Sequence, residues 1–517
     1  MVPIILQFAL ILLCSVVTFV AVAFKHRKYW LNRGIPSPTP KLISGNFDAL
    51  FVSRPGIFQF RDWTAQFGKV YGIQYGWRNA LVISDPAMVH ELLVTKFEYF
   101  HGRNLSPIIG NVDSYKWIHM FFARGGRWKR LRTIANPAFS VTNLKKAMLL
   151  IDDSVKNAIV FLEEARNGGK AINIHRHFVE MTFDVISRVA LGQRDSRQFR
   201  TDQPQLAMAA MMRINSTVFD YVAWLFPWFG LHFVHPFVEW SGLLRSDPLA
   251  ILRKQLLKEV QERKQQRERG QKPQASVDFI DLFLEMESEE QTVQKHNGVF
   301  NKSAHSIEKK NTSEEIVMQL ESFMLAGFDT TANSLSVVSR NLAFHPEVQA
   351  KAQEEIDSIC IDEDPTYEQL SQLKYTEAIV KETLRLCPVG ASVMNRICSQ
   401  TTTLGEHTVE EGTVVVVDVL SVHRDKSVWG EDAEQFRPER WLEEGRQLPP
   451  AYSFGGGPRV CIGMRLAMIE EKLALIRILR KYSIVPCEAT EKELDFCGQI
   501  VLTPKAVTVA LKLREEQ

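Results

Sequence analysis

A long helical pattern in the second half of the chain limits what the rest can fold into. Thr312-Ser-Glu-Glu315 has capping-box spacing, an apolar periodicity continues to about Ala343, and His345-Pro346 ends it. At 1.5 Å per residue such a helix spans on the order of 45 Å, enough to cross a large domain. Inside it lies Ala326-Gly-Phe-Asp-Thr-Thr331. Glycine and threonine are poor helix residues, so something other than propensity placed them there. Ala326, Gly327 and Thr330 share one face by three- and four-residue spacing. That small, polar face leaves room for a flat or bulky group, with an acid, Asp329, beside an alcohol, Thr330. A kink or a tight helix crossing is the plainer alternative.

A second stretch, Tyr452 to Ala467, offers one cysteine in a glycine cradle. Gly455, Gly456 and Gly457 permit a sharp turn and close approach by another group, and Pro458 stiffens it. Cys461 follows, with Arg459 two residues before it, Gly463 two after, and an amphipathic helical run from about Met464 to Tyr482. A thiol at a helix N-terminus beside a cation has its thiolate favoured. Such a group is a nucleophile, a redox thiol or a metal ligand, unless it is simply a buried structural cysteine. The other cysteines, Cys14, Cys360, Cys387, Cys398, Cys487 and Cys497, form no zinc-like pair and no dense framework, as expected for reduced thiols in a cytosol-facing body.

With 517 residues the chain is long enough for two or three average domains or one large one, and a net charge of +2 offers no nucleic-acid surface. Residues 1–24 carry no charged side chain and read as a transmembrane anchor. Ala21-Val22-Ala23 imitates a signal cleavage site, but no basic residue precedes the apolar run, whereas Lys25, Arg27, Lys28 and Arg33 follow it. The positive-inside rule puts the body in the cytosol, so the acceptors at Asn104, Asn215, Asn301 and Asn311 should stay unglycosylated. Residues 25–40 form a basic, proline-rich hinge, and 41–517 a single domain. Lys69 to Gly76 and Asn79 to Ser84 suggest a β-hairpin, followed by a mainly helical region to about residue 344. Two departures interrupt it. Val218 to Trp240 is an aromatic run broken by Pro227 and Pro236, either core or a loop at the membrane headgroups; Met286 to Asn311 reads as a solvated linker. Leu494 to Gln499 and Ala506 to Leu513 look like the strands of a final hairpin.

Glu382 and Arg385 share a helix face, and Arg440 of Phe436-Arg-Pro-Glu-Arg440-Trp441 could join them in a buried network that pins a loop. Together with Phe454-Gly-Gly-Gly457-Pro-Arg459-Val-Cys461-Ile-Gly463, the Ala326 to Thr331 box and Trp128-Lys-Arg-Leu-Arg132, these elements resemble, in order, those of the cytochrome P450 monooxygenases. The resemblance covers nearly the whole chain and is strongest to the animal microsomal branch that handles steroids and xenobiotics.

The resemblance implies a mainly α fold with small β-sheets and a long central helix over haem b. It assigns Cys461 as axial ligand of the haem iron, with Phe454, Gly455 and Gly463 around it. Trp128, Arg132, Arg459 and Arg396 would hold the propionates. Ala326 and Gly327 would border the opposite haem face, where Asp329 and Thr330 manage protons for O2 activation. By family position Ile109, Phe122, Phe219, Phe323, Ala391 and Ile500 would line an apolar substrate wall. The expected enzyme inserts one oxygen atom from O2 into a lipophilic substrate, a steroid, fatty acid or xenobiotic. Its electrons would come from NADPH through NADPH-cytochrome reductase, with cytochrome b5 as a further partner, at the endoplasmic reticulum membrane. Lys129, Arg130 and Arg446 would offer a basic docking patch. The alternative is a haem-thiolate isomerase or dehydratase that needs no external electrons, or a haem sensor or carrier; Asp329 and Thr330 weigh against both.

Overall fold

The computed structural model describes residues 2–51, 55–169, 171–213, 217–242, 247–271, 278–287, 310–445 and 448–514. Most of the linker read at Met286 to Asn311 therefore lies outside the described residues, as do Asn215, Asn301 and Arg446.

The central helix, Ser313–Phe344, is capped as its sequence requires: the Thr312 hydroxyl accepts from the Glu315 N–H at 3.2 Å, and Glu315 accepts from the Thr312 N–H at 3.4 Å. Pro346 opens the next helix, Pro346–Ile359, and so ends this one. The central helix is buried around most of its circumference, which is how so long an apolar element is kept from water. The helix Ile174–Leu191 packs along it, and Thr182 Oγ1 donates to Phe328 O at 2.8 Å. A Cβ on Gly327 would stand 2.9 Å from Ile186 Cδ1, so this glycine permits a close helix crossing. Part of the small face is thus spent on packing.

The expected first hairpin forms from Val70–Tyr75 and Arg78–Ile83. Val414–Val417 adds in parallel to the second strand, and Asn395–Ile397 adds antiparallel to that, which brings Arg396 into the sheet. The final hairpin differs from expectation. Phe496–Cys497 pairs with Thr503–Pro504, because Gly498, at φ +86°, turns the chain early. Thr508–Leu513 instead lies between Ile172–Asn173 and Tyr482–Val485.

The aromatic run is helical rather than a loop. Val218–Leu225, Pro227–Phe229, Gly230–Val234 and His235–Ser241 follow one another, with Pro227 and Pro236 in first turns where a missing N–H is harmless. Trp224 is buried against Phe47 and Tyr75, whereas Trp228, Phe229, Phe233, Phe237 and Trp240 face outward. The N-terminal helix, Val2–Arg27, approaches the same region: Phe19 and His26 stack on Trp77 at 5.3 and 5.4 Å, and Trp77 meets Phe226 at 6.2 Å. Its Ala9–Arg27 portion, of mean hydropathy 2.1, is long and apolar enough to cross a membrane and could serve as an anchor. Trp30 fills the slot beside Gly72 and donates to Ile73 O at 2.9 Å, fastening the segment after the N-terminal helix to the sheet.

Glu382, Arg385 and Arg440 do form one fully buried network. Glu382 Oε1 accepts from Arg385 Nη2 at 2.8 Å, Arg440 Nε at 2.9 Å and the Arg437 N–H at 3.0 Å; Oε2 takes Arg385 Nε and Trp441 Nε1. It clamps the segment that leads into the cysteine stretch.

Candidate active site

The cysteine loop is wound by its own backbone. The Gly455 N–H donates to Tyr452 O at 2.9 Å, Val460 to Gly457 O at 3.0 Å, and Cys461 to Phe454 O at 2.8 Å. Gly457 has φ +63°, and a Cβ there would lie 2.0 Å from Leu93 O, so no other residue fits. The chain then enters the helix Met464–Lys481, and the N–H groups of Gly463 and Met464 point at Cys461 Sγ. Burial pushes the Cys461 thiol up, while those two donors, Arg132 and Arg103 favour its thiolate. Although enclosed by protein, the Cys461 side chain borders open space and is not packed.

Four guanidinium groups converge beside it. Arg459 comes from the loop itself and donates Nη2 to Ala123 O, its guanidinium 4.8 Å from the Trp128 ring centre. Arg396 comes from the sheet, Arg132 from the helix Gly125–Ala135, and Arg103 from the loop after His101. Arg103 Nη1 donates to Phe121 O at 2.9 Å, and Arg396 Nη1 to Asn395 O at 2.7 Å. The Nε atoms of Arg103, Arg396 and Arg459 are buried without a hydrogen-bond partner. Burial first, then the neighbouring arginines, pushes Arg103 and Arg459 well below the ordinary guanidinium range. Among the described residues no carboxylate pairs with any of the four. Buried cations without counter-ions are costly, so the site is built for an anion with several oxygens held next to a thiol. Haem, flat and carrying two propionates, fits both the donor set and the open face of Cys461. Arg103 was not legible in the sequence, because it stands in an irregular loop between Gly102 and Asn104 with no motif around it.

The opposing helix supplies the other side. Within the buried central helix Ala326 is exposed and Thr330 half-buried, and Thr330 Oγ1 donates to Ala326 O at 2.7 Å. Phe139 links the two sides, lying 3.8 Å from where a Gly463 Cβ would stand and 5.4 Å from the Phe323 ring. Asp329 is fully buried and accepts from Asn333 Nδ2 at 3.0 Å and from Thr503 Oγ1 at 3.3 Å; burial outweighs these donors and raises its carboxyl to about 6.

The expected substrate wall is mixed. Phe122 is half-buried against His119 at 4.1 Å, Ile109 lies in the short helix Pro107–Ile109, and Ile500 is half-buried. Phe219 sits 6.2 Å from Phe237, toward the exposed aromatic patch. Phe323, expected in that wall, has its ring packed among Phe139, Phe279 and Phe283. Ala391 is also buried, beginning the turn Ala391–Val393. Arg130, expected in a docking patch, is a correction, because it is buried on Glu315 at 2.7 Å and cannot offer a docking charge.

A thiol in a glycine cradle, an arginine basin free of carboxylates and a long helix with an acid and an alcohol define a haem-thiolate site. The Cytochrome P450 family profile matches residues 35–511. The chain is also similar to Caenorhabditis elegans proteins that are cytochromes P450 by name. It is 38% identical to CYP13A8 over 515 residues, 98% of this chain and 99% of that one. It is 39% identical to cyp-13B1 over 518 residues, with the same coverages of 98% and 99%. The chain belongs to the cytochrome P450 family and is an oxidoreductase, a haem-thiolate monooxygenase with haem b as its cofactor.

Proposed function

We propose that this chain is a membrane-anchored monooxygenase that draws NADPH electrons through a membrane-bound reductase and oxygenates a lipophilic substrate of the steroid, fatty-acid or xenobiotic class. The observation that carries the reading is the convergence of Cys461 with Arg103, Arg132, Arg396 and Arg459. Cys461 would ligate the haem iron as thiolate, with the Gly463 and Met464 amides spreading its charge. Trp128, Arg132, Arg396, Arg459 and Arg103 would hold the propionates by charge-assisted bonds. Bound haem supplies the activation of O2 and the oxidation of carbon; the chain supplies position and protons. Thr330 holds its hydroxyl at the open helix face, and Asp329, raised to about 6 by burial, exchanges protons close to neutral pH.

The apolar character of the wall around Ile109, Phe122 and Ile500 supports a lipophilic substrate. The N-terminal helix, fastened beside the exposed Trp228, Phe229, Phe233 and Phe237, supports attachment at the endoplasmic reticulum membrane with the 41–517 domain in the cytosol. Residues 25–40 would then form the hinge. Lys129, half-buried on the helix Gly125–Ala135 that also carries Arg132, would offer its charge to an acidic electron donor, NADPH-cytochrome reductase or cytochrome b5. The test is to incubate the protein with reductase, NADPH and a panel of steroids, fatty acids and xenobiotics. Substrate-dependent NADPH consumption with an oxygenated product is expected; none across the panel would overturn the reading.

A further inference from the structure

The buried acid of the central helix is held by two side chains. Asp329 Oδ1 accepts from Asn333 Nδ2 at 3.0 Å, and both its oxygens lie 3.3 Å from Thr503 Oγ1. Asn333, one turn along the same helix and fully buried, also reaches Thr503 Oγ1 through Nδ2 at 3.1 Å. An ionised carboxylate only accepts, so Asn333 must turn its NH2 toward Asp329 and its carbonyl toward His175 Nε2, 2.8 Å away, which fixes the imidazole with hydrogen on Nε2. Thr503 comes from elsewhere in the chain. Its strand, Thr503–Pro504, directly follows Ile500-Val501-Leu502, and the Leu502 N–H donates to Val389 O at 2.8 Å. The hydroxyl that supports the acid therefore follows closely after Ile500, the residue expected in the substrate wall.

We propose that Asn333 and Thr503 are positioning residues for Asp329, and that Thr503 couples the acid's readiness to exchange a proton to ligand packing against the Ile500–Leu502 loop. The coupling rests on the monooxygenase reading above. Among the described residues no cation acts on Asp329 in place of these donors: His175 is kept neutral by burial, and the Cys497 thiol, raised by burial and near Asp329, lies on the paired strand with Lys505 and Asp495 acting on it. Loss of the Thr503 hydroxyl would remove the donor shared by both Asp329 oxygens while the burial stays, so the carboxyl would rise from about 6 and hold its proton at neutral pH.

The experiment titrates the infrared carbonyl band of protonated Asp329, assigned by its loss in Asp329→Asn, in the resting haem-loaded protein without reductase. Thr503→Val should move its midpoint up by about one unit or more, a tenfold change in proton affinity, and Thr503→Ser should restore it. Asn333→Ser should give the same upward shift and carries the test if Thr503→Val does not fold. An unchanged midpoint in the folded variants overturns the positioning role. Dodecylimidazole, whose chain must fill the apolar side, should shift the parent's midpoint where imidazole alone does not; equal responses overturn the coupling. Peroxide released per NADPH should rise in Thr503→Val and return in Thr503→Ser. Because the band is read without turnover, a protein that oxygenates nothing yet shows these shifts would support the positioning and refute the monooxygenase reading.

Discussion

Four guanidinium groups beside one thiol are the sharpest local demand in the molecule. Arg459 and Cys461 were visible in the sequence because the glycine loop carries both, and Arg132 and Arg396 through the resemblance to the cytochrome P450 family. Arg103 was visible only when folding brought its loop to the others. Its weight can be measured. A hydrogen bond to a charged group is worth about 1.5–3 kcal/mol, so Arg103→Met should speed haem loss to a haem-scavenging apoprotein by roughly ten- to a hundredfold. An unchanged rate would return the propionates to the four residues read from the sequence.

Elements, unlike single residues, carry more than one duty. The small face of the central helix reads in sequence as either room for a flat group or a tight crossing, and the structure divides it: Gly327 serves the crossing, while Ala326 and Thr330 stay open. Periodicity could not separate these, because the partner helix, Ile174–Leu191, lies far away in the chain. The final hairpin was misread for a related reason, since strand pattern shows that a strand exists and not which strand it joins. The Glu382 network is the opposite case, legible from residue types and completed by burial. Glu382→Ala would leave Arg385 buried without a carboxylate and Arg440 with Asp432 alone, at a cost of about 3–5 kcal/mol, and should yield protein that fails to retain haem on purification. The helix Met464–Lys481 holds a pH-sensitive pair. Glu470 and Glu471 are both buried, and burial raises Glu471 to about 8 although Ser334 Oγ donates to it at 3.0 Å. The folded state thus binds the Glu471 proton more tightly than the unfolded state does. That favours folding at low pH and is lost as pH rises from about 4.5 to about 8, at up to about 1.4 kcal/mol per unit. Glu471→Gln should flatten that decline in urea unfolding measured from about pH 5 to pH 8; an equally steep decline would assign it to other groups.

At the scale of the whole molecule, the N-terminal helix adjoins the aromatic helices on the side we propose faces the membrane. Phe19 and His26 on Trp77, and Trp77 beside Phe226, tie the N-terminal helix to the segment that exposes Trp228 and Trp240. Removal of residues 1–24 should weaken vesicle binding without abolishing it, and Trp228→Ser with Trp240→Ser in that truncated chain should abolish the remainder. Complete solubility of the truncated chain alone would show that the aromatic helices stay in water. The sequence exposed this side as an apolar run and an aromatic run; their adjacency is a property of the fold. The same holds for the proposed chemistry, in which Cys461 and Thr330 would act from opposite sides of one site though far apart in the chain. The most direct test of that arrangement is the spectrum of the reduced carbon-monoxide complex. The parent protein should show the thiolate-ligated form and Cys461→Ala should lose it, whereas a Cys461→Ala protein that kept the thiolate spectrum would contradict the account.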